Sequence, residues 1–90
     1  MENAGTSSDQ TYPPSQMSRS EKVFAAILNH WRDYAVPPVI RDVMQETGIT
    51  STSVVGYYYQ KLTKIERIVM VKHHPVPIEI LKLIKGDFAQ

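Results

Sequence analysis

A proline pair at positions 37 and 38 divides the apolar part of this chain. Neither proline has an amide to donate, and the residue ahead of a proline is driven out of the helical region. A helix that reaches the pair must stop, and the link beyond it must run extended. Ten residues further on, Gly48 permits a left-handed turn and ends a second apolar stripe. Several short elements are therefore expected in place of one long helix.

Ser18-Arg-Ser-Glu21 has the form of a capping box. Val23, Phe24, Ile27, Leu28, Trp31 and Ala35 then fall on one helical stripe, so a first helix is expected from about Arg19 to Tyr34. Trp31 lies within that stripe and is read as core packing in preference to a ligand-stacking role. Ile40, Val43 and Met44 mark a second helix, roughly Val39 to Thr47. The turn from Gly48 to Ser51 leads straight into a third, whose first free amides the Thr50 and Ser51 hydroxyls can accept. Val55, Tyr59 and Leu62 recur there at helical spacing. Two short helices joined by a glycine-containing turn outline a helix-turn-helix.

After the third helix the pattern changes. Ile68 to Val71 is apolar and β-branched, Lys72 to Pro77 is turn-forming, and Ile78 to Leu81 is apolar again. A β-hairpin is expected, with its prolines in the turn. The expected fold is α+β, mainly α: a winged helix-turn-helix of three helices and a two-stranded β-hairpin wing, occupying residues 19–82. Leu83 and Ile84 either extend the second strand or begin a short helix, and 83–90 is read as a C-terminal tail or truncated linker. Residues 1–18 are rich in Ser, Thr, Gln, Asn and Pro and too poor in apolar groups to offset the entropy of ordering, so they are read as a disordered tail. About 70 residues then remain for the core, a small but sufficient number.

Cysteine is absent, which excludes disulfides and thiolate zinc sites and suits a reducing compartment. No basic segment followed by an apolar run opens the chain, and its longest apolar run, Val23 to Leu28, is far too short to cross a bilayer. Neither a signal peptide nor a membrane association is expected. The net charge is +1, but residues 1–18 hold Glu2 and Asp9 with no cation, which leaves ten cations against seven acids in the rest. Lys61, Lys64, Arg67 and Lys72 fall close together with only Glu66 among them, and His73-His74 follows. Cations gathered this way are expected where phosphates are met; the alternative is an ordinary solvated face.

The side of the third helix opposite its stripe carries Ser51, Ser53, Val54, Gly56, Tyr57 and Lys61. Short side chains let a helix approach another surface closely, and the DNA major groove is wide enough to admit one. On that reading Ser51 and Ser53 meet the backbone and base edges, and Val54 meets a thymine methyl. Gly56 removes a side chain at closest approach, and Tyr57 meets a phosphate or a sugar. Lys61, Lys64, Arg67, Lys72 and Arg41 neutralise phosphates, and His73 lies at the wing tip. Tyr58 and Tyr59 are read as packing, whereas Tyr57 lies off the stripe and fits either role. Adjacent histidines on a turn point apart and no carboxylate cluster accompanies them, so no metal is expected at His73-His74. No nucleophile has a base and an orienting partner, and no glycine-rich phosphate loop occurs, so neither catalysis nor a cofactor is expected.

From Arg19 to about Leu81 the chain resembles the N-terminal DNA-binding domain of LexA-type repressors of the bacterial SOS response. The resemblance is carried by Val23-Phe24 with Ile27, Pro37-Pro38, Asp42-Val43, Gly48-Ile-Thr-Ser51, Ser53, Val55, Leu62 and Ile68. It implies a third helix in the major groove, with contacts from Ser53, Val54, Gly56 and Tyr57 and with Ser51 near the backbone. It also implies a transcriptional regulator in the cytoplasm of a bacterium or phage-infected cell, associated with the nucleoid. Val39 stands where the family has a serine cap, Thr47 and Tyr59 where it has leucines, and Glu66 where a glycine closes the helix. The family's self-cleaving protease domain has no counterpart in these residues.

Two functions compete. One is sequence-specific binding of double-stranded DNA, for which strong specificity calls for a homodimer reading two half-sites. The other is a winged-helix protein-interaction module, because fold alone does not settle function.

Overall fold

The computed structural model describes residues 17–88, with side chains through Ile84. The tail expected over residues 1–18 thus lies almost wholly outside the described residues. The element order is α1 (Arg19–Tyr34), α2 (Ile40–Thr47), α3 (Thr52–Lys64), β1 (Ile68–Val71), β2 (His74–Pro77) and α4 (Ile78–Phe88). Three helices and a two-stranded antiparallel hairpin make a winged-helix layout, with a short helix after the wing.

The ends of the first three helices have identifiable causes. The Ser18 hydroxyl accepts the Glu21 amide at 3.1 Å and starts α1. Ala35 ends it in the left-handed region at φ 60°, donating its amide to Trp31 O at 2.8 Å. Ala35 is exposed there, so it serves as a cap and lies outside the stripe expected of it. Val39 precedes α2 with no side-chain oxygen to offer. The Asp42 carboxylate instead accepts the Val39 amide at 3.2 Å, which supplies the return half of a capping box. Gly48, at φ 79°, closes α2, and Ser51 caps α3 through the Val54 amide.

The end of α3 is a Schellman closure. The Arg67 amide donates to Leu62 O at 2.9 Å and the Glu66 amide to Thr63 O at 3.0 Å. This geometry needs a left-handed residue, and Glu66 supplies it at φ 62° without being glycine. Arg67 then joins three elements. Its guanidinium lies 3.9 Å from the centre of the Phe24 ring and 3.2 Å from a Glu21 carboxylate oxygen, and its carbonyl accepts the Ile78 amide at 3.0 Å.

The core sits between α1, α2, α3 and the start of the wing. Val23, Phe24, Ala26 and Ile27 meet Val43, Ile49, Val55, Tyr59, Leu62 and Ile68 there, and Leu28, Trp31, Met44, Val54 and Tyr58 pack around them. Burial of the larger of these side chains contributes about 1.5–3 kcal/mol each.

The wing differs from its expected form. Its second strand is His74–Pro77 in place of Ile78–Leu81, and Ile78 begins a helix. The turn shrinks to Lys72 and His73, both left-handed (φ 51° and 70°), which is the two-residue type I′ connection that matches strand twist. Pro75 and Pro77 therefore stand inside the strand. They fit because Met70 pairs with Pro75 and Ile68 with Pro77, whereas the hydrogen-bonded pairs are Val71 with His74 and Val69 with Val76. A missing amide at the alternate positions breaks no bond of the ladder. Trp31 Nε1 donates to Pro75 O at 2.9 Å and ties the wing to α1. α4 packs on β2, and its Leu83 stays 67% exposed.

Two substitutions test this account. Glu66→Gly removes left-handed strain and should raise stability by about 0.5–1 kcal/mol, read as a melting temperature several degrees higher; a lower one would contradict it. Trp31→Phe leaves Pro75 O unpaired and should lower stability by about 1–2 kcal/mol in urea unfolding.

Candidate functional site

The α3 helix buries Val55, Tyr59 and Leu62 and thereby turns its other side outward. Ser53, Tyr57, Gln60 and Lys64 follow one another at helical spacings of four, three and four residues, so they form one outward line. All four are exposed, with Lys61 beside them. Lys61 Nζ lies 5.8 Å from the centre of the Tyr57 ring, and the Tyr58 ring meets Tyr57 edge-on at 5.1 Å. No Asp or Glu occurs between Gly48 and Ile65. Lys61 and Lys64 also fall in the last turn, where the helix dipole favours cations whatever the helix contacts.

The other predicted positions divide into groups. Gly56, Tyr57, Lys61 and Lys64 come together along a groove of about 740 Å³ between α3 and β1. Ser51 is half-buried, and its hydroxyl serves the α3 cap. Val54 packs against the core cluster, away from the outward line. Lys72 and His73 are exposed at the wing tip, and Arg41 is exposed on α2, outside the groove. Arg67 is engaged internally by Glu21 and Phe24, which withdraws its charge from the face where a phosphate contact was expected.

Gln60 is the site residue that sequence reasoning missed. It stands seven residues after Ser53 and four before Lys64, so extending the spacing of the outward line finds it. Its side chain is the one of this line that carries a donor and an acceptor on separate atoms. Met70 also lines the groove, brought there by the pairing of the wing.

A second groove, of about 430 Å³ between α1 and α2, is lined by Asp33, Asp42 and Glu46 together with His30. His30 is held at both ring nitrogens, with Nδ1 2.9 Å from Val36 O and Nε2 3.4 Å from Asp42 Oδ2. No group of three metal-ligating side chains forms among the described residues. None of the described helices is long and apolar enough to cross a membrane.

Behind the outward face, the Tyr59 hydroxyl is buried with no hydrogen-bond partner. Burial, with a further contribution from the Asp42 carboxylate, pushes its pKa up to about 12 from 10.0. A leucine at this position would leave no polar atom unsatisfied.

No protein-family model, curated protein or solved structure matches the chain. The layout is compatible with a winged helix, and no family is identified.

Tyr59→Phe removes the unpaired hydroxyl and should leave stability equal or raised by about 1 kcal/mol at neutral pH. The folded state holds the Tyr59 proton more tightly than the unfolded state. Its stabilising contribution is therefore complete below pH 10 and disappears as pH rises from 10 to about 12. Melting curves across that window should fall less steeply for Tyr59→Phe than for the parent; parallel curves would refute the assignment.

Proposed function

We propose that this chain binds double-stranded DNA as a winged-helix module of LexA-like type. In this reading the outward line of α3 enters the major groove and the wing tip lies along the phosphate backbone. The observation that carries the reading is that line itself. Ser53, Tyr57, Gln60 and Lys64 share one exposed, acid-free helix face beside a second exposed lysine, while acidic side chains line a groove between α1 and α2. A helix is about 10–12 Å across with its side chains, which matches a major groove about 12 Å wide.

The roles follow from the groups. Gln60 offers an amide suited to the N6 and N7 edge of adenine, and Ser53 a hydroxyl that bonds several base edges. Lys61, Lys64, Lys72 and Arg41 supply the charge that positions the module without reading sequence, and His73 offers a ring N–H to the backbone at the wing tip. A single module covers a small interface, so a transcriptional regulator built this way reads two half-sites as a homodimer. Its place of action is the nucleoid of a bacterium or phage-infected cell.

A protein-interaction module is the second reading. The observation that favours it is a patch of exposed Tyr34, Val36, Val39 and Ile40 around the proline link, away from α3. A partner docked there would bind with little dependence on salt.

Fluorescence anisotropy with labelled duplexes over a range of salt separates the two. Lys64→Ala and Lys72→Ala should each weaken every duplex alike and reduce the log–log salt slope by about 0.9. Ser53→Ala and Gln60→Ala should change the preference between duplexes and leave the slope intact. Identical effects of all four variants on all duplexes would rule out base reading by α3. Binding insensitive to salt would rule out the DNA reading as a whole.

A further inference from the structure

The groove between α3 and β1 has properties that a phosphate backbone does not require. Its volume of about 740 Å³ lies within the range of small-molecule sites, about 300–1,000 Å³. Gly56 opens its floor: a Cβ built there meets nothing within 4 Å, so the absent side chain makes room that helix packing did not need. Tyr57 supplies an aromatic wall and Met70 an adaptable thioether. Thr63 directs its hydroxyl back to Tyr59 O at 2.8 Å, so its hydrogen bond is already made within the helix. On the rim, Lys61 and Lys64 have no ion-pair partner among the described residues, where the Lys/Arg pair is Arg67–Glu21. An apolar slot edged by two unpaired ammonium groups and the Gln60 amide is complementary to a flat apolar body bearing one anionic group.

We propose that this groove binds a small apolar anion of the aromatic carboxylate class, and that its occupancy keeps α3 off a DNA duplex. The first part stands on the groove alone. The second rests on the DNA-binding reading, because Tyr57, Gln60, Lys61 and Lys64 serve both ligands.

The test titrates the ¹⁵N-labelled chain with naphthalene-2-carboxylate and, separately, with the neutral naphthalene-2-carboxamide. The carboxylate should give saturable amide shifts centred on Gly56, Gln60, Thr63, Lys64 and Met70, and the carboxamide should bind at least tenfold more weakly. Gly56→Leu should fill the slot and weaken carboxylate binding at least tenfold, with an unchanged or higher melting temperature because leucine favours helix over glycine. Lys64→Gln should narrow the gap between the two probes. Scattered or unsaturable shifts, or a Gly56→Leu variant that binds like the parent, would overturn the site. A labelled duplex then examines the second part. Displacement of the duplex by the carboxylate supports it, and simultaneous binding of both overturns it while leaving the site intact. A chain that takes the carboxylate and no duplex at any salt removes the regulatory part together with the DNA reading.

Discussion

The corner between Leu62 and Arg67 holds the molecule together. A helix that ended two residues later would carry Ile68 away from the core, and the wing with it. The two amide bonds at Glu66 and Arg67 reverse the chain at a defined point. The Arg67 side chain then fixes the direction of exit by lying on Phe24 and pairing with Glu21. Its partly exposed ion pair is worth little by itself. The stacking on an aromatic face and the backbone bond to Ile78 make the corner specific, because they bring α1, the end of α3 and both strands to one place.

With the corner set, the functional surface follows from what packing leaves over. Val55, Tyr59 and Leu62 use one side of α3 completely, and α1 and α2 cover that side. The opposite side borders the flank of β1. The groove, the line of polar residues and the pair of lysines are thus the remainder of a helix whose other half is fully engaged. Two acids of α1 and α2 have internal contacts: Asp42 caps Val39 and lies against His30, and Glu21 pairs with Arg67, whereas Lys61 and Lys64 of α3 have no ion pair among the described residues.

Much of this was legible from residue order. The α1 boundaries follow from Ser18, Glu21 and the proline pair, and α2 and α3 from Gly48 and the two apolar stripes. The wing was harder to place. Prolines usually signal a turn, and Pro75 and Pro77 drew the turn toward themselves. Only the register shows that both occupy positions without ladder bonds, and register depends on a turn whose left-handed residues, Lys72 and His73, give no local signal. Glu66 is similar, since a left-handed residue other than glycine or asparagine is invisible to turn rules. On the site, helical spacing found Ser53, Tyr57 and Lys61. Gln60 lies on the same face between Tyr57 and Lys61, but a lone neutral amide carries no charge or aromatic signal of its own. The same spacing placed Val54 outward, whereas packing at the edge of the stripe turns it inward.

The two strand prolines also bear on how β2 can be buried at all. At positions without ladder bonds, amides and carbonyls point away from the partner strand. On β2 that side is not open to solvent: Pro75 and Pro77 are fully buried, and the strand packs on α1 and α4. The Pro75 carbonyl is taken there by the Trp31 indole. An ordinary residue at either position would aim an amide into packed side chains and leave it without an acceptor. Proline carries no such donor, so the strand can be enclosed by helices without orphaning a polar group.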